Sequence, residues 1–365
     1  MVTLTATLDD AKNLLGELFI IGFNGLELAD DTAAFLSQAR IGGVILFTPN
    51  YENPAQVAEL INQVQECRTD HPLWISVDHE GGRVQRFRKG FTKIPEAAEI
   101  AAMNSPKLAF EIGEIMAKEL KAVGINLNFA PVADINTNPK NPVIGNRAFG
   151  ADEETVSKIS NAMVRGHLVQ KVQPCVKHFP GHGDTTVDSH FALPKIDTPL
   201  ETLHNREFRP FSKAFKSHCS IVMTAHVMLP HIDPDFPATL SAKIIQGILR
   251  KYMRYTRLIV TDDMEMKAIT AHFGASDAPR LALQAGCDIL IYRSEGAARA
   301  AYASLLKDLE TGKLAPEIVT LAAQRSRALK KEVLDPYHPA IVAEVTQRIG
   351  TLEHAEVISK VQLKV

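Results

Sequence analysis

Short apolar segments that alternate with helical patterns constrain the fold of this chain more than any other feature. Most of these segments are rich in Val, Ile, Leu and Phe and lack alternating polar residues, which is typical of strands covered on both faces. They are LFIIGF (18–23), GGVILF (42–47), LWISVD (73–78), INLNFAPV (125–132), PCVKHF (174–179), SIVMTAHV (220–227), RLIVTDDM (257–264) and CDILIY (287–292).

Helical patterns lie between these segments. SPKLAFEIGEIMAKELKAVG begins with Ser105 as an N-cap and Pro106 in the first turn, and it ends at Gly124. Its apolar side chains form one stripe, made of Leu108, Ile112, Ile115, Met116 and Leu120. SAKIIQGILRKYM repeats the pattern from Ser241, with apolar residues at Ile244, Ile245, Ile248 and Leu249.

Eight strands alternating with helices predict an α/β protein with a single-domain (β/α)8 TIM-like barrel. A doubly wound open sheet is the alternative. The barrel is favoured because polar residues follow many strand segments, and a barrel gathers these strand ends around one mouth. These residues are Asp78, Asn128, Lys177, His178, His226, Asp262 and Asp263. We predict the barrel over residues 1–335 and a C-terminal helical extension over 336–365, packed on the barrel or at an interface.

Composition and charge narrow the class of partner. Of the 365 residues, 45% are hydrophobic and 22% are charged, and the net charge is −2. Such a balance gives no long-range attraction to nucleic acid or to an anionic membrane. The apolar runs are shorter than the roughly 20 residues of a membrane span, and the first residues show no signal-peptide pattern. We therefore expect a cytoplasmic protein that binds neither nucleic acid nor membrane.

The segment KHFPGHGDTTVDSH (177–190) contains three histidines, two aspartates and a lysine. A metal site is disfavoured because there is no His-x-x-x-His pair on a helix and Lys177 would repel a cation. We predict neither a metal ion nor a cofactor.

Asp188 and His190, in the same segment, are two residues apart, so in an extended chain their side chains point the same way. A carboxylate beside an imidazole orients the ring and favours its charged form, which suits proton transfer.

Three further motifs follow other strand segments. DHEGGRVQRF (78–87) begins with an aspartate and contains two arginines, and GNRAFG (145–150) contributes Arg147. TDDMEM (261–266) ends a strand with Asp262 and Asp263. Strand alternation predicts that just one of these two aspartates faces the barrel centre, and the residues alone do not say which.

These motifs, in this order and spacing, resemble glycoside hydrolase family 3, and more narrowly its bacterial NagZ-type β-N-acetylglucosaminidases. The resemblance covers about residues 15 to 333. Other members of the family, such as the β-glucosidases, have a second domain that contributes the acid/base carboxylate. The resemblance implies that the Asp-Ser-His segment at 188–190 replaces it here.

The resemblance also implies a role for each candidate residue. Asp262 would be the nucleophile of a retaining mechanism, and His190 would be the acid/base with Asp188 as its partner. A neutral imidazole can activate water without bringing a second negative charge into the site. The substrate-binding positions implied by the family are Asp78, Arg86, Arg147, Lys177 and His178.

The implied activity is the release of terminal β-linked N-acetylglucosamine by an exo-acting hydrolase. Its substrates would be small carbohydrates, the GlcNAc–1,6-anhydroMurNAc muropeptides of peptidoglycan recycling, and the protein would be a monomer or homodimer. Three alternatives stay open: a glycoside phosphorylase on the same scaffold, a β-glucosidase, and a non-catalytic sugar-binding barrel.

Overall fold

Parallel strands form the centre of the protein. The structure is a computed structural model, and it describes residues 6–68, 70–186 and 193–362. The strands are β1 (Phe19–Ile21), β2 (Gly43–Leu46), β3 (Trp74–Val77), β4 (His79–Gly81), β5 (Val84–Gln85), β6 (Leu127–Asn128), β7 (Gln173–Phe179), β8 (Ile221–Thr224), β9 (Leu258–Asp263) and β10 (Ile289–Tyr292). All of them except the antiparallel hairpin β4–β5 belong to one closed parallel barrel, in which β10 pairs with β1. The predicted (β/α)8 barrel is confirmed.

Helices cover the outside of the barrel. They are α1 (Leu8–Leu14), α2 (Asp30–Gln38), α3 (Pro54–Glu66), α4 (Ala97–Ala102), α5 (Pro106–Ala122), α6 (Glu153–Val169), α7 (Leu200–Asn205), α8 (Phe208–Lys216), α9 (Lys267–Phe273), α10 (Ala278–Ala285), α11 (Glu295–Glu310), α12 (Pro316–Leu334), α13 (Val342–Arg348) and α14 (Leu352–Gln362). Among the described residues, none of these helices has the length and apolarity that a membrane span requires.

Alternate residues of the barrel strands pack into two different cores. On β9, Leu258 and Val260 belong to the cluster inside the barrel, whereas Ile259 packs in the cluster under the helices. On β1, Ile20 faces inward in the same way. Since side chains alternate along a strand, both faces must be apolar, which explains the nearly continuous apolar runs of the sequence.

Local signals set the ends of the helices. The backbone N–H of Leu108 donates to the Ser105 hydroxyl at 3.2 Å, and Gly124 follows α5 with a φ of 95°. The predicted cap and stop are confirmed. The helix predicted from Ser241 is a π-helix over Lys243–Tyr252, and in it the N–H of Met253 donates to the carbonyl of Ile248. Apolar spacing did not distinguish the two helix types because so short a set, Ile244, Ile245, Ile248 and Leu249, lies on one face of either helix.

The last two helices pack against the barrel helices α3 and α5. Glu119 of α5 joins them to the barrel, because it accepts from the N–H of Gly350 at 2.8 Å and lies 2.7 Å from Nδ1 of His354. The same carboxylate also accepts from the N–H and the hydroxyl of Thr92. The division of the chain at residue 335 into a barrel and an extension stays a prediction.

Candidate active site

Two adjoining cavities open at the carboxyl end of the barrel strands. Their volumes are about 290 Å³ and about 210 Å³, and both are lined by Asp78, Arg86, Asp262 and Met266. We call them the first and the second cavity. The second cavity is also lined by three of the predicted binding residues, Arg147, Lys177 and His178. Barrel closure therefore brings together the ends of β3, β7 and β9, which are far apart in the sequence.

Asp262 lies between the two cavities, at the end of β9. Its Oδ1 accepts from the N–H of Asp263 at 2.8 Å. Burial disfavours the carboxylate form, but His178, His226, the N–H of Asp263 and Lys177 together hold the pKa of Asp262 below its usual value. Asp262 is therefore ionised at neutral pH, as a nucleophile must be.

Asp263 also lines the first cavity, so the cavity lining does not single out one of the two aspartates. That one of them faces the barrel centre stays a prediction. The pairing of β9 with β10 is irregular at this point. Val260 pairs with Ile289 and Asp263 pairs with Ile291, so three steps on β9 face two on β10. Such a bulge interrupts strict alternation and redirects the side chains beside it.

Asp263 is held by the backbone of two neighbouring segments. Its Oδ1 accepts from the N–H of Glu265 at 3.0 Å and from the N–H of Arg293 at 3.3 Å. Burial, together with the negative charges of Glu265 and Asp262, raises the pKa of Asp263 to about 7. The two consecutive aspartates therefore differ in charge near neutral pH.

Asp78 follows β3, and its carboxylate forms ion pairs with two cationic side chains. Nζ of Lys177 lies 2.8 Å from one carboxylate oxygen, and Nη2 of Arg86 lies 3.3 Å from the other. Burial opposes ionisation of Asp78, but these two cations lower its pKa below the usual value. The carboxylate is thus a fixed, ionised acceptor at the barrel mouth.

Glu80, on the hairpin after β3, is a site residue that sequence reasoning missed. Arg147 donates to both Glu80 oxygens at 2.8 Å, and Nζ of Lys177 lies 2.7 Å from one of them. Burial opposes ionisation of Glu80, but Arg147 and Lys177 hold its pKa well below its usual range. The signal was present in the sequence, since Glu80 and Asp78 are two residues apart in DHEGG.

Asp134 was also missed, and it orients His178. Its Oδ2 lies 2.7 Å from Nδ1 of His178, and its Oδ1 accepts from the N–H of His182 at 2.7 Å. Burial opposes ionisation of Asp134, but His178 lowers its pKa. A carboxylate at Nδ1 leaves Nε2 of His178 for another partner. Asp134 follows β6 in FAPVAD and lies two residues beyond the predicted strand segment 125–132, from which Asn128 alone was singled out.

Residues 10–329 match the family model described as the glycosyl hydrolase family 3 N-terminal domain. The chain belongs to glycoside hydrolase family 3. A β-hexosaminidase of Glaesserella parasuis serovar 5 (strain SH0165) is 38% identical over 279 residues, which are 76% of this chain and 81% of that protein. β-Hexosaminidase A of Pseudoalteromonas piscicida is 34% identical over 364 residues, 92% of this chain and 60% of its own length.

Solved structures of family 3 members have the same fold. A β-N-acetylglucosaminidase from Paenibacillus sp. str. FPU-7 superposes with a TM-score of 0.93 at 38% identity, covering 96% of this chain and 68% of that one. NagZ from Neisseria gonorrhoeae, in complex with N-trifluoroacetyl-D-glucosamine, superposes with a TM-score of 0.77 at 29% identity, covering 95% and 97%. This member of the family is therefore a glycoside hydrolase of the β-hexosaminidase type.

The predicted acid/base pair of this family 3 enzyme, Asp188 and His190, lies outside the described residues. The other predicted residues, Asp78, Arg86, Arg147, Lys177, His178 and Asp262, all line one or both cavities. Within residues 6–68, 70–186 and 193–362, no group of three or more His, Cys, Asp or Glu residues is arranged to hold a metal ion.

Proposed function

We propose that this protein is an exo-acting, retaining β-N-acetylglucosaminidase that works through a covalent glycosyl-aspartate. The observation that carries the proposal is the position of Asp262. It is an ionised carboxylate between two cavities, within a ring of paired polar side chains. Attack by Asp262 on the anomeric carbon would break the bond to the leaving oxygen and form an ester, which water then hydrolyses.

The paired charges around Asp262 support binding of a sugar with many hydroxyl groups. Asp78 and Glu80 are ionised acceptors, and Lys177 links them. Their positions depend on one another, so the side chains are already ordered before a sugar binds, and less entropy is lost on binding. We assign substrate binding to Asp78, Arg86, Arg147, Lys177 and His178, with Glu80 and Asp134 as positioning residues.

We assign the acid/base role to His190, with Asp188 as its partner, on the sequence motif and the family resemblance. Protonated His190 would give its proton to the glycosidic oxygen as the bond to Asp262 forms. Neutral His190 would then take a proton from the attacking water. An imidazole suits both steps because its ordinary pKa of about 6.5 lies near neutral pH.

The names of the relatives support the choice of sugar. They include β-hexosaminidases and β-N-acetylglucosaminidases, one of them bound to N-trifluoroacetyl-D-glucosamine. We further propose that the physiological substrates are GlcNAc–1,6-anhydroMurNAc muropeptides of peptidoglycan recycling. The enzyme would act on them in the cytoplasm as a monomer or homodimer, with neither nucleic acid nor membrane as a partner.

Labelling of the nucleophile tests the proposal directly. A fluorinated N-acetylglucosaminyl fluoride forms the glycosyl-enzyme quickly and releases it slowly, so mass spectrometry of the digested protein identifies the esterified residue. We expect the label on Asp262 in the wild type and in Asp263→Asn. Asp262→Ala should lose about a thousandfold or more in kcat/KM on an aryl β-N-acetylglucosaminide. A label on any other side chain would refute the assignment.

Substitution of His190 tests the acid/base role. For His190→Ala we expect a loss of about tenfold or less on a substrate whose leaving group departs easily. With a poor leaving group we expect about a hundredfold or more, because protonation then limits the rate. Equal losses on both substrates would contradict the acid/base role of His190.

A separate assay distinguishes hydrolysis from phosphorolysis. The released sugar is identified in reactions run with and without inorganic phosphate.

A further inference from the structure

An aromatic ring with two guanidinium groups lies on the wall of the first cavity. Phe47 follows β2, and its ring centroid is 5.7 Å from Cζ of Arg86 and 5.9 Å from Cζ of Arg293. All three residues line the first cavity together with Asp262. Of the three, Arg86 alone also borders the second cavity. The first cavity therefore has a cationic and aromatic wall on one side of the proposed nucleophile.

The two guanidinium groups differ in their partners. Arg86 is bound to the carboxylate of Asp78, at 3.3 Å. Arg293 is exposed, and its side chain forms no ion pair with any residue that the structure describes. Its backbone N–H donates to Asp263, whose carboxyl group has a pKa of about 7 and so carries a reduced charge near neutral pH. Among the described residues, the Arg293 guanidinium thus has no carboxylate bound to it, although it lines the same cavity as Asp262 and Asp263.

The position of Arg293 relative to Asp262 indicates which part of a substrate it would meet. The predicted sugar-binding residues Arg147, Lys177 and His178 line the second cavity and not the first. An exo-acting hydrolase holds the terminal sugar on one side of the nucleophile and the leaving group on the other. Asp78 and Arg86 line both cavities, whereas Phe47 and Arg293 line the first and not the second. The part of the first cavity lined by Phe47 and Arg293 is therefore assigned to the leaving group.

We infer that Arg293 is a specificity-determining residue, which binds a carboxylate carried by the leaving group while Phe47 packs against the leaving group's ring. This inference rests on the proposed function and adds the charge of the preferred substrate to it. A guanidinium and a carboxylate form charge-assisted hydrogen bonds, and a neutral leaving group at the same position would leave the guanidinium without that partner. The enzyme should therefore prefer an anionic leaving group over a neutral one of the same shape.

The test compares two chromogenic β-N-acetylglucosaminides that differ in one group. Both have a nitrophenyl leaving group; one ring carries a carboxylate and the other a carboxamide. The measured quantity is the ratio of kcat/KM for the acidic substrate to kcat/KM for the amide. We expect Arg293→Gln to reduce this ratio about five- to tenfold while leaving the amide substrate nearly unchanged. Arg293→Glu should reduce the ratio further, and added salt should weaken the preference of the wild type.

Arg299→Gln is a matched control. Arg299 also lies over a phenylalanine ring, at 4.1 Å from Phe35, but it is bound to Asp31 and Glu295 and lines neither cavity. Arg299→Gln removes one positive charge, as Arg293→Gln does, and should leave the ratio of the two kcat/KM values unchanged. An unchanged ratio in Arg293→Gln, or equal losses on both substrates, would overturn the inference. Turnover of neither substrate by the wild type would instead overturn the proposed function on which the inference rests.

Discussion

Asp262 and Asp263 are consecutive carboxyl groups whose pKa values are moved in opposite directions. Both are affected by burial, which disfavours the charged form. At Asp262 the imidazoles of His178 and His226, with the N–H of Asp263 and the charge of Lys177, together outweigh burial. Asp263 instead has the negative charges of Glu265 and Asp262 beside it. Near neutral pH the two carboxyl groups therefore favour a single negative charge over two, and that charge resides on Asp262.

The raised pKa of Asp263 predicts a dependence of stability on pH. Its folded-state pKa of about 7 exceeds the ordinary 3.8, so the folded protein binds more protons between these values than the unfolded chain. The contribution of Asp263 to the free energy of unfolding is therefore largest below about pH 4 and is lost as the pH rises to about 7. Asp263→Asn does not titrate, so relative to the wild type it should gain on the order of 1–3 kcal/mol across this range.

Urea unfolding of wild type and Asp263→Asn at several pH values from about 5 to about 8 measures this gain. Asp9→Asn removes the same charge from an exposed aspartate on α1 and serves as a control for the change in net charge. A stability difference between wild type and Asp263→Asn that stays constant with pH would contradict the assigned protonation.

At the scale of elements, two glycines let α5 and α6 approach each other closely. A Cβ on Gly113 would lie 2.7 Å from the carbonyl oxygen of Met163, and a Cβ on Gly166 would lie 2.4 Å from the carbonyl oxygen of Phe110. Both distances are shorter than side chains tolerate, and the obstructing atoms are backbone. The helices can therefore pack at this distance only while both positions lack a side chain.

Gly166→Ala should force the two helices apart and reduce the free energy of unfolding by about 1–3 kcal/mol. Gly296→Ala on α11 is a suitable comparison, because a Cβ there meets nothing within 4 Å. That substitution should stabilise the protein by about 0.5–1 kcal/mol, since alanine has fewer unfolded conformations than glycine. Chemical denaturation of both variants measures the effects, and equal changes would show that the close approach is not the cause.

At the scale of the whole molecule, a buried ion pair joins the two ends of the barrel sequence. Glu17, just before β1, lies 2.6 Å from Nζ of Lys330 on α12, and it also accepts from the hydroxyl of Ser326 at 2.8 Å. Lys330 donates as well to the carbonyl of Gly42, which precedes β2. Both charged side chains are almost wholly buried. Glu17 also lies 3.7 Å from Nη2 of Arg68 and 3.8 Å from Nε of Arg327, so Lys330 is its closest cation among three.

Lys330→Met should therefore destabilise the protein by about 3–5 kcal/mol, because it leaves the buried Glu17 carboxylate without its closest cation. The double variant Glu17→Gln/Lys330→Met should recover part of this loss, since it removes both charges. Lys331→Met, which alters the exposed neighbour on the same helix, should stay close to the wild type. Thermal and urea unfolding test this order, and a double variant less stable than Lys330→Met would contradict it.

The sequence predicted best those structural features that depend on residues close together in the chain. The N-cap at Ser105 and the stop at Gly124 depend on neighbours within a few residues, and both are confirmed. The barrel strands follow from apolar runs that mark burial on both faces. The bulge beside Asp262 and Asp263 could not be predicted, because it depends on how β9 pairs with β10, which the sequence of β9 does not contain.

The sequence by itself determined the eight strand–helix units, the chemical groups at the strand ends and the family to which the motifs belong. Tertiary structure alone decided how those groups pair. Glu80 meets Arg147 and Lys177, Asp134 meets His178, and Arg293 faces the first cavity without an ionic partner among the described residues. These contacts join residues from different parts of the chain, and their distances and protonation states are set when the barrel closes and buries them.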